Sequence, residues 1–130
     1  MDDIVAVLER SDRVYRINLQ NLERSDLEII SAAMQVPFPE LTDLVLSSNG
    51  KMVSALPDSL LGGSAPRLEY LVLTGIPFPG LPNLLLSATQ LVDLYLSNIP
   101  HSGYFPPEAI VTALSILTCL EQLELFFESP

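Results

Sequence analysis

Basic side chains are scarce: six Lys and Arg stand against sixteen Asp and Glu, a net charge of −10. A nucleic-acid surface needs clustered cations to neutralise phosphates, so this balance argues against backbone binding to DNA or RNA. Four of the bases, Arg10, Arg13, Arg16 and Arg24, lie in the first 24 residues, whereas downstream of Arg67 there are six acids and no base. Charge thus runs from mixed to purely acidic, which favours a protein partner with a basic patch near the C-terminal end. The same acids also keep a leucine-rich surface in solution. The single cysteine, Cys119, cannot form an internal bridge, and the chain contains no Asn-x-Ser/Thr sequence. Nothing therefore indicates an oxidising or glycosylating compartment, and an intracellular protein of cytoplasm or nucleus is expected. The start has acids where a secretory signal needs bases, and its apolar run is too short for such a signal. Apolar stretches also fall short of the ~18 residues of a membrane span, so no membrane association is expected.

Groups that carry catalysis or bind metals are equally thin. His101 is the one histidine, and its neighbour Ser102 is not expected to align with it as nucleophile and base within a turn. One histidine and Cys119 cannot build a structural zinc site, and Cys119, between the last helix and strand, reads as a small buried apolar residue. Gly62-Gly63-Ser64 lacks the lysine and spacing of a phosphate loop and reads as a turn. Asp2-Asp3 reads as helix N-terminal charge. The expectation is a protein that is not an enzyme, with no cofactor, metal or small-molecule substrate.

What the chain has in abundance is leucine at fixed intervals. Leu-x-x-Leu-x-Leu occurs at Leu41–Leu46, Leu68–Leu73, Leu91–Leu96 and Leu120–Leu125, with a degenerate copy at Val14–Leu19. The copies start at 14, 41, 68, 91 and 120, giving steps of 27, 27, 23 and 29, close to the roughly 20–29 residues of leucine-rich repeats. Return at positions four and six has the period of a strand, which sends these leucines into a core. The expected fold is α/β, a leucine-rich repeat solenoid forming a short right-handed horseshoe segment over residues 1–130, with about five parallel strands and helical or irregular convex crossovers.

The segments between hexads have the length that parallel neighbours require. Ser25-Asp26-Leu27-Glu28 has capping-box spacing, followed by Leu27, Ile30 and Met34 on one helical face that ends before Pro37. Pro106-Pro107-Glu108 opens another helix, with Ile110, Leu114 and Leu117 on one face. Pro57–Leu61 suits about one turn before Gly62-Gly63 stops it, and Leu81–Ala88 about two, with Pro82 at the first helical position. Prolines avoid the hexads, as strand interiors require. Residues 2–11 read as the helical half of a repeat or as a cap. The last strand closes on Phe126-Phe127 with no crossover after it, so a segment of a longer array is expected, or else marginal stability and self-association through that edge.

Leu56-Pro-Asp-Ser-Leu-Leu-Gly-Gly-Ser-Ala-Pro-Arg-Leu-Glu-Tyr-Leu-Val-Leu73, Gly75-Ile-Pro-Phe-Pro-Gly-Leu-Pro-Asn-Leu-Leu-Leu-Ser-Ala-Thr-Gln-Leu-Val-Asp-Leu94 and Asn98-Ile-Pro-His-Ser-Gly-Tyr-Phe-Pro-Pro-Glu-Ala109 carry more than the generic repeat. They resemble the repeat region of fungal F-box leucine-rich repeat proteins, and the resemblance covers nearly the whole chain. It implies a substrate-holding module for a cullin–RING ubiquitin ligase. The helical F-box that docks on the ligase's linker protein has no room in residues 1–13, so linker binding would depend on a segment missing from this chain. An isolated structural or competitor fragment with no ligase role is the alternative. The sequence also departs from the family pattern at the ninth repeat position, where Asn appears only as Asn49; the others are Leu22, Ile76, Ile99 and Glu128. Without an asparagine ladder, apolar packing and local backbone bonds must hold each turn.

Positions three, five and seven of each hexad should leave the core and form the concave sheet face. Position three holds Arg16, Asp43, Tyr70, Asp93 and Gln122; position five holds Asn18, Val45, Val72, Tyr95 and Glu124; position seven holds Gln20, Ser47, Thr74, Ser97 and Phe126. The first two rows are the candidate partner-binding residues. Five strands span only about 20 Å at ~4.8 Å spacing, enough for a short peptide or the corner of a domain rather than a standard interface of about 800 Å² per partner. Val45, Val72, Tyr70 and Tyr95 form a central apolar and aromatic strip between Asp43 and Asp93, and tyrosine suits binding hot spots. Valine and tyrosine also suit strands on propensity alone.

Overall fold

Leucines spaced to one side of a strand bury only if neighbouring strands align them, and the chain does this with one sheet. The computed structural model describes residues 13–48, 56, 60–78, 80–99 and 107–127. It is an α/β arrangement in the order β1 (Arg16–Leu22), α1 (Arg24–Ala33), β2 (Asp43–Ser48), a 3₁₀ turn (Leu60–Gly63), β3 (Tyr70–Thr74), α2 (Leu81–Leu85), β4 (Asp93–Ile99), α3 (Pro107–Ser115) and β5 (Gln122–Phe127). All five strands are parallel and lie side by side in chain order. Among the described residues, no helix is long and apolar enough to cross a membrane.

The register matches the hexads residue for residue. Ile17, Leu44, Leu71, Leu94 and Leu123 pair across the sheet, and Leu19, Leu46, Leu73, Leu96 and Leu125 form the next row on that face. In β2, β3 and β4 these leucines are fully buried, and Leu41, Leu68 and Leu91 at the first position are buried with them. Burying each such side chain contributes roughly 1.5–3 kcal/mol. Every buried side chain among the described residues is apolar, none is polar or charged, and no buried polar side-chain atom lacks a partner.

Each strand begins two residues into its hexad, because the first two residues complete a turn. Leu41, Leu68, Leu91 and Leu120 donate their amides to the carbonyls of Phe38, Ala65, Ala88 and Leu117 at 3.1–3.2 Å. These turn-opening residues are all buried. The carbonyls of Tyr15, Thr42, Glu69 and Val92 then each accept from two successive amides of the next repeat, at 2.8–2.9 and 3.0–3.2 Å. Sheet pairing starts from that shared acceptor. The turn geometry also corrects the expectation for Cys119, which is exposed. It occupies the outer corner of its turn, where the preceding repeats place Glu40, Arg67 and Gln90, all exposed, while Leu117 fills the buried position.

The crossovers follow the expected pattern with shifts at their ends. α1 buries Leu27 and Ile30, and Met34 at its C-cap is buried with them, but its capping box closes between Glu23 and Asp26, two residues before the expected start. The Asp26 carboxylate accepts from the Glu23 amide at 3.2 Å. Of the expected turn at Pro57–Leu61, Pro57–Ser59 lie outside the described residues. The 3₁₀ turn that follows is broken by left-handed backbone at Leu61 and Gly62. A Cβ at Gly62 would sit 2.9 Å from Pro37 Cγ and from its nitrogen, so this approach requires glycine. The helix expected over Leu81–Ala88 covers only Leu81–Leu85; its C-terminal side closes in turns, with Ser87 and Ala88 donating to Leu84 and Leu85 at 3.1 Å. α3 buries Ile110 and Ala113, and Leu117 beyond its end. The helical segment expected at 2–11, and His101, Ser102 and Asn49, lie outside the described residues.

Strand ends are organised at the eighth repeat position rather than the ninth. Asn21, Gly75 and Asn98 have φ of 58°, 69° and 52°, a left-handed conformation that asparagine and glycine adopt more readily than other residues. After Leu19 and after Leu96 the register slips by one residue relative to β2 and β5, so the two asparagines sit in β-bulges. At the ninth position Leu22 and Ile76 are buried, supplying the apolar packing expected there.

Candidate protein-interaction surface

Because odd and even strand positions face opposite ways, fixing leucines in the core also fixes what faces outward. Arg16, Asp43, Tyr70, Asp93 and Gln122 align as one row across all five strands, and Asn18, Val45, Val72, Tyr95 and Glu124 as the next. Ser47, Thr74 and Ser97 continue the third row over β2, β3 and β4. The two slips leave Gln20 and Phe126 without direct partners in it, a departure from five aligned residues. On the three inner strands these outward residues are half-buried by their neighbours; on β1 and β5 they are exposed.

At the β1 side, Arg16 Nε lies 3.3 Å from Asp43 Oδ2. Gln20 donates to Asn18 Oδ1 at 3.1 Å. Both arrangements are exposed, so each contributes little to stability. In the middle, the Tyr70 and Tyr95 rings have centroids 6.0 Å apart and planes inclined at 60°, within the favourable range for aromatic pairs. Asp43 and Asp93 flank Tyr70 in its row, and Val72 and Glu124 flank Tyr95 in the other. The Tyr95 hydroxyl donates to Gln122 Oε1. Partial desolvation, then the negative charges of Asp93 and Glu124 and the neighbouring Tyr70, push the Tyr95 phenol above the ordinary tyrosine range.

The ten candidates do not converge on a point. Arg16 and Gln122 stand on opposite edges, four strand spacings or about 19 Å apart. Tyr70, Tyr95, Asp93, Gln122 and Glu124 form the tighter group, joined by the ring contact, the Tyr95–Gln122 bond and strand pairing.

Sequence reasoning overlooked contacts that link neighbouring repeats from outside this face. Arg67 Nη1 pairs with Glu40 Oε2 at 2.7 Å, Thr42 Oγ1 donates to the Tyr15 carbonyl at 3.0 Å, and Ser48 Oγ donates to the Gly75 carbonyl at 3.1 Å. Each of these pairs, like Arg16 with Asp43 and Tyr95 with Gln122, is separated by 27 residues. For all but Tyr95–Gln122 this is the step between their own hexads, so the repeat interval itself was the signal; the hexads of Tyr95 and Gln122 stand 29 residues apart, and that pair meets diagonally across the ladder. No protein-family model, curated protein or solved structure matches this chain.

Proposed function

We propose that this chain is a protein-interaction module, a leucine-rich repeat solenoid in the shape of a short right-handed horseshoe segment, which holds a protein partner on its outward sheet face. The observation that carries this reading is the alignment of the two outward rows across five parallel strands, with Tyr70 and Tyr95 packed together near their centre. A backbone held by the ladder has little further conformational entropy to lose on binding, which favours association. The resemblance to F-box leucine-rich repeat proteins extends this reading to the substrate-recognition part of a ubiquitin-ligase adaptor.

Affinity capture compares the chain with its Tyr70→Ala/Tyr95→Ala variant, after circular dichroism has established that both are folded. A partner confirmed by direct binding of purified proteins should lose at least about tenfold in affinity with the variant, as expected for two hot-spot tyrosines. Equal affinity removes the strip as the binding surface. For the ligase role, residues 1–130 alone should not retain the linker protein, whereas a product extended upstream with an F-box should. Failure of that extended product leaves the interaction module without a ligase.

A further inference from the structure

The acidic half of the molecule has no cation of its own. No Lys or Arg follows Arg67 anywhere in the sequence. Of the upstream bases, Arg16 pairs with Asp43 and Arg67 with Glu40. Asp93 and Glu124 have no cationic partner among the described residues. Both lie against the tyrosine pair: Asp93 opposes Tyr70 across the β3–β4 ladder, and Glu124 opposes Tyr95 across the β4–β5 ladder. The two half-buried rings are inclined at 60° with centroids 6.0 Å apart and meet in a corner, and the face of each ring carries the negative lobe of its quadrupole. Desolvation first, and then the charges of Asp93 and Glu124, raise the affinity of the Tyr95 phenol for its proton.

We propose that the corner formed by Tyr70 and Tyr95, with Asp93 and Glu124 at its sides, receives an arginine side chain from an extended basic segment of a protein partner. This rests on the interaction-module reading and names the chemistry of the partner. A guanidinium within about 6 Å of a ring centroid is attracted to the ring face, and its plane stacks there. Its N–H groups remain free at the edge to meet carboxylates, which Asp93 and Glu124 supply. A lysine ammonium offers the same charge without the stacking plane, so it should bind more weakly. An apolar segment would cover Val45, Val72 and the rings but leave both carboxylates uncompensated.

The test uses the 130-residue chain and a blocked peptide in which arginines alternate with glycine and serine, alongside two matched peptides carrying citrulline or lysine. Binding is followed through the tyrosine ring resonances and by calorimetry. The arginine peptide should shift Tyr70 and Tyr95 selectively, and the citrulline peptide, which keeps the shape and loses the charge, should bind at least about tenfold more weakly. Asp93→Asn/Glu124→Gln should weaken the arginine peptide by about five- to tenfold, the sum of modest exposed contributions. Tyr70→Phe/Tyr95→Phe should keep most of the affinity, because the ring faces remain while the hydroxyls go. The proposal is overturned by equal binding of arginine and citrulline peptides, by indifference to the carboxylate substitutions, or by shifts spread over the whole acidic surface. No saturable shift at millimolar peptide overturns it too. If any of these occurs while a partner is still lost through Tyr70→Ala/Tyr95→Ala, the interaction reading stands and only the arginine assignment fails.

Discussion

Leu94 and Leu123 occupy the same hexad position in adjacent strands, yet their surroundings differ. Leu94 is 0 % exposed and Leu123 is 40 % exposed. Truncation of a fully buried leucine removes transfer free energy and leaves a cavity, costing about 2–5 kcal/mol. At Leu123 much of the side chain already meets water and the space left behind opens to solvent. Urea denaturation should therefore give a loss of about 3 kcal/mol for Leu94→Ala and about 1 kcal/mol for Leu123→Ala. Equal losses would mean that β5 is covered in solution. The outward residues belong to a different energetic class. Arg16 and Asp43 form an ion pair with side chains 73 % and 35 % exposed, worth about 0–1 kcal/mol. Their identities are thus free to serve binding instead of stability.

Near the ends of β1, β3 and β4 the eighth repeat position takes a left-handed backbone, and there the backbone sets the constraint. Gly75 has φ of +69°, and a Cβ on it would fall 2.5 Å from Ser48 Oγ. Ser48 in turn donates to the Gly75 carbonyl at 3.1 Å, so the end of β2 leans on the end of β3. Gly75→Ala should cost about 1–3 kcal/mol, combining the left-handed penalty with the displaced serine. Adding Ser48→Ala should give a double variant less destabilised than the sum of the two single variants, because the clash is then gone. Strict additivity in a double-mutant cycle would show that the serine has room to move. Asn21 and Asn98 meet the same backbone requirement with side chains that tolerate it, and the bulges at those positions are the price of an extra residue in β1 and β4.

Strands laid down in chain order make each repeat depend mainly on its immediate neighbours. Stability in such an arrangement varies along the chain, and local opening starts where one side is missing. Amides of β3, bonded within a ladder on both sides, should exchange most slowly, and those of β1 and β5, each paired with one strand among the described residues, should exchange faster. Uniform protection across the sheet would instead indicate one cooperative unit. Charge follows the same axis: the ion pairs of Arg16 and Arg67 fall in the first half of the described chain, and the half without bases carries the tyrosine corner.

Much of this was legible in the sequence, because a period-two leucine pattern returning at nearly constant steps specifies strand, inward face and neighbour together. The positions of all five strands, the buried face of α1 and the two outward rows follow from that pattern alone. Cys119 is exposed although cysteine favours the interior, because its place in the repeated turn is the outer corner where the other repeats put polar residues. α1 starts at Arg24 behind a Glu23 cap and not behind Ser25, a start the sequence hides because glutamate is a rarer cap than the serine two residues later. Tertiary structure alone decided the register slips at Asn21 and Asn98, the dependence of Gly75 on Ser48, and the pairing of Tyr70 with Tyr95. These depend on distances between atoms of different repeats, whereas hydrophobic periodicity within one repeat records only which side of the strand each residue takes.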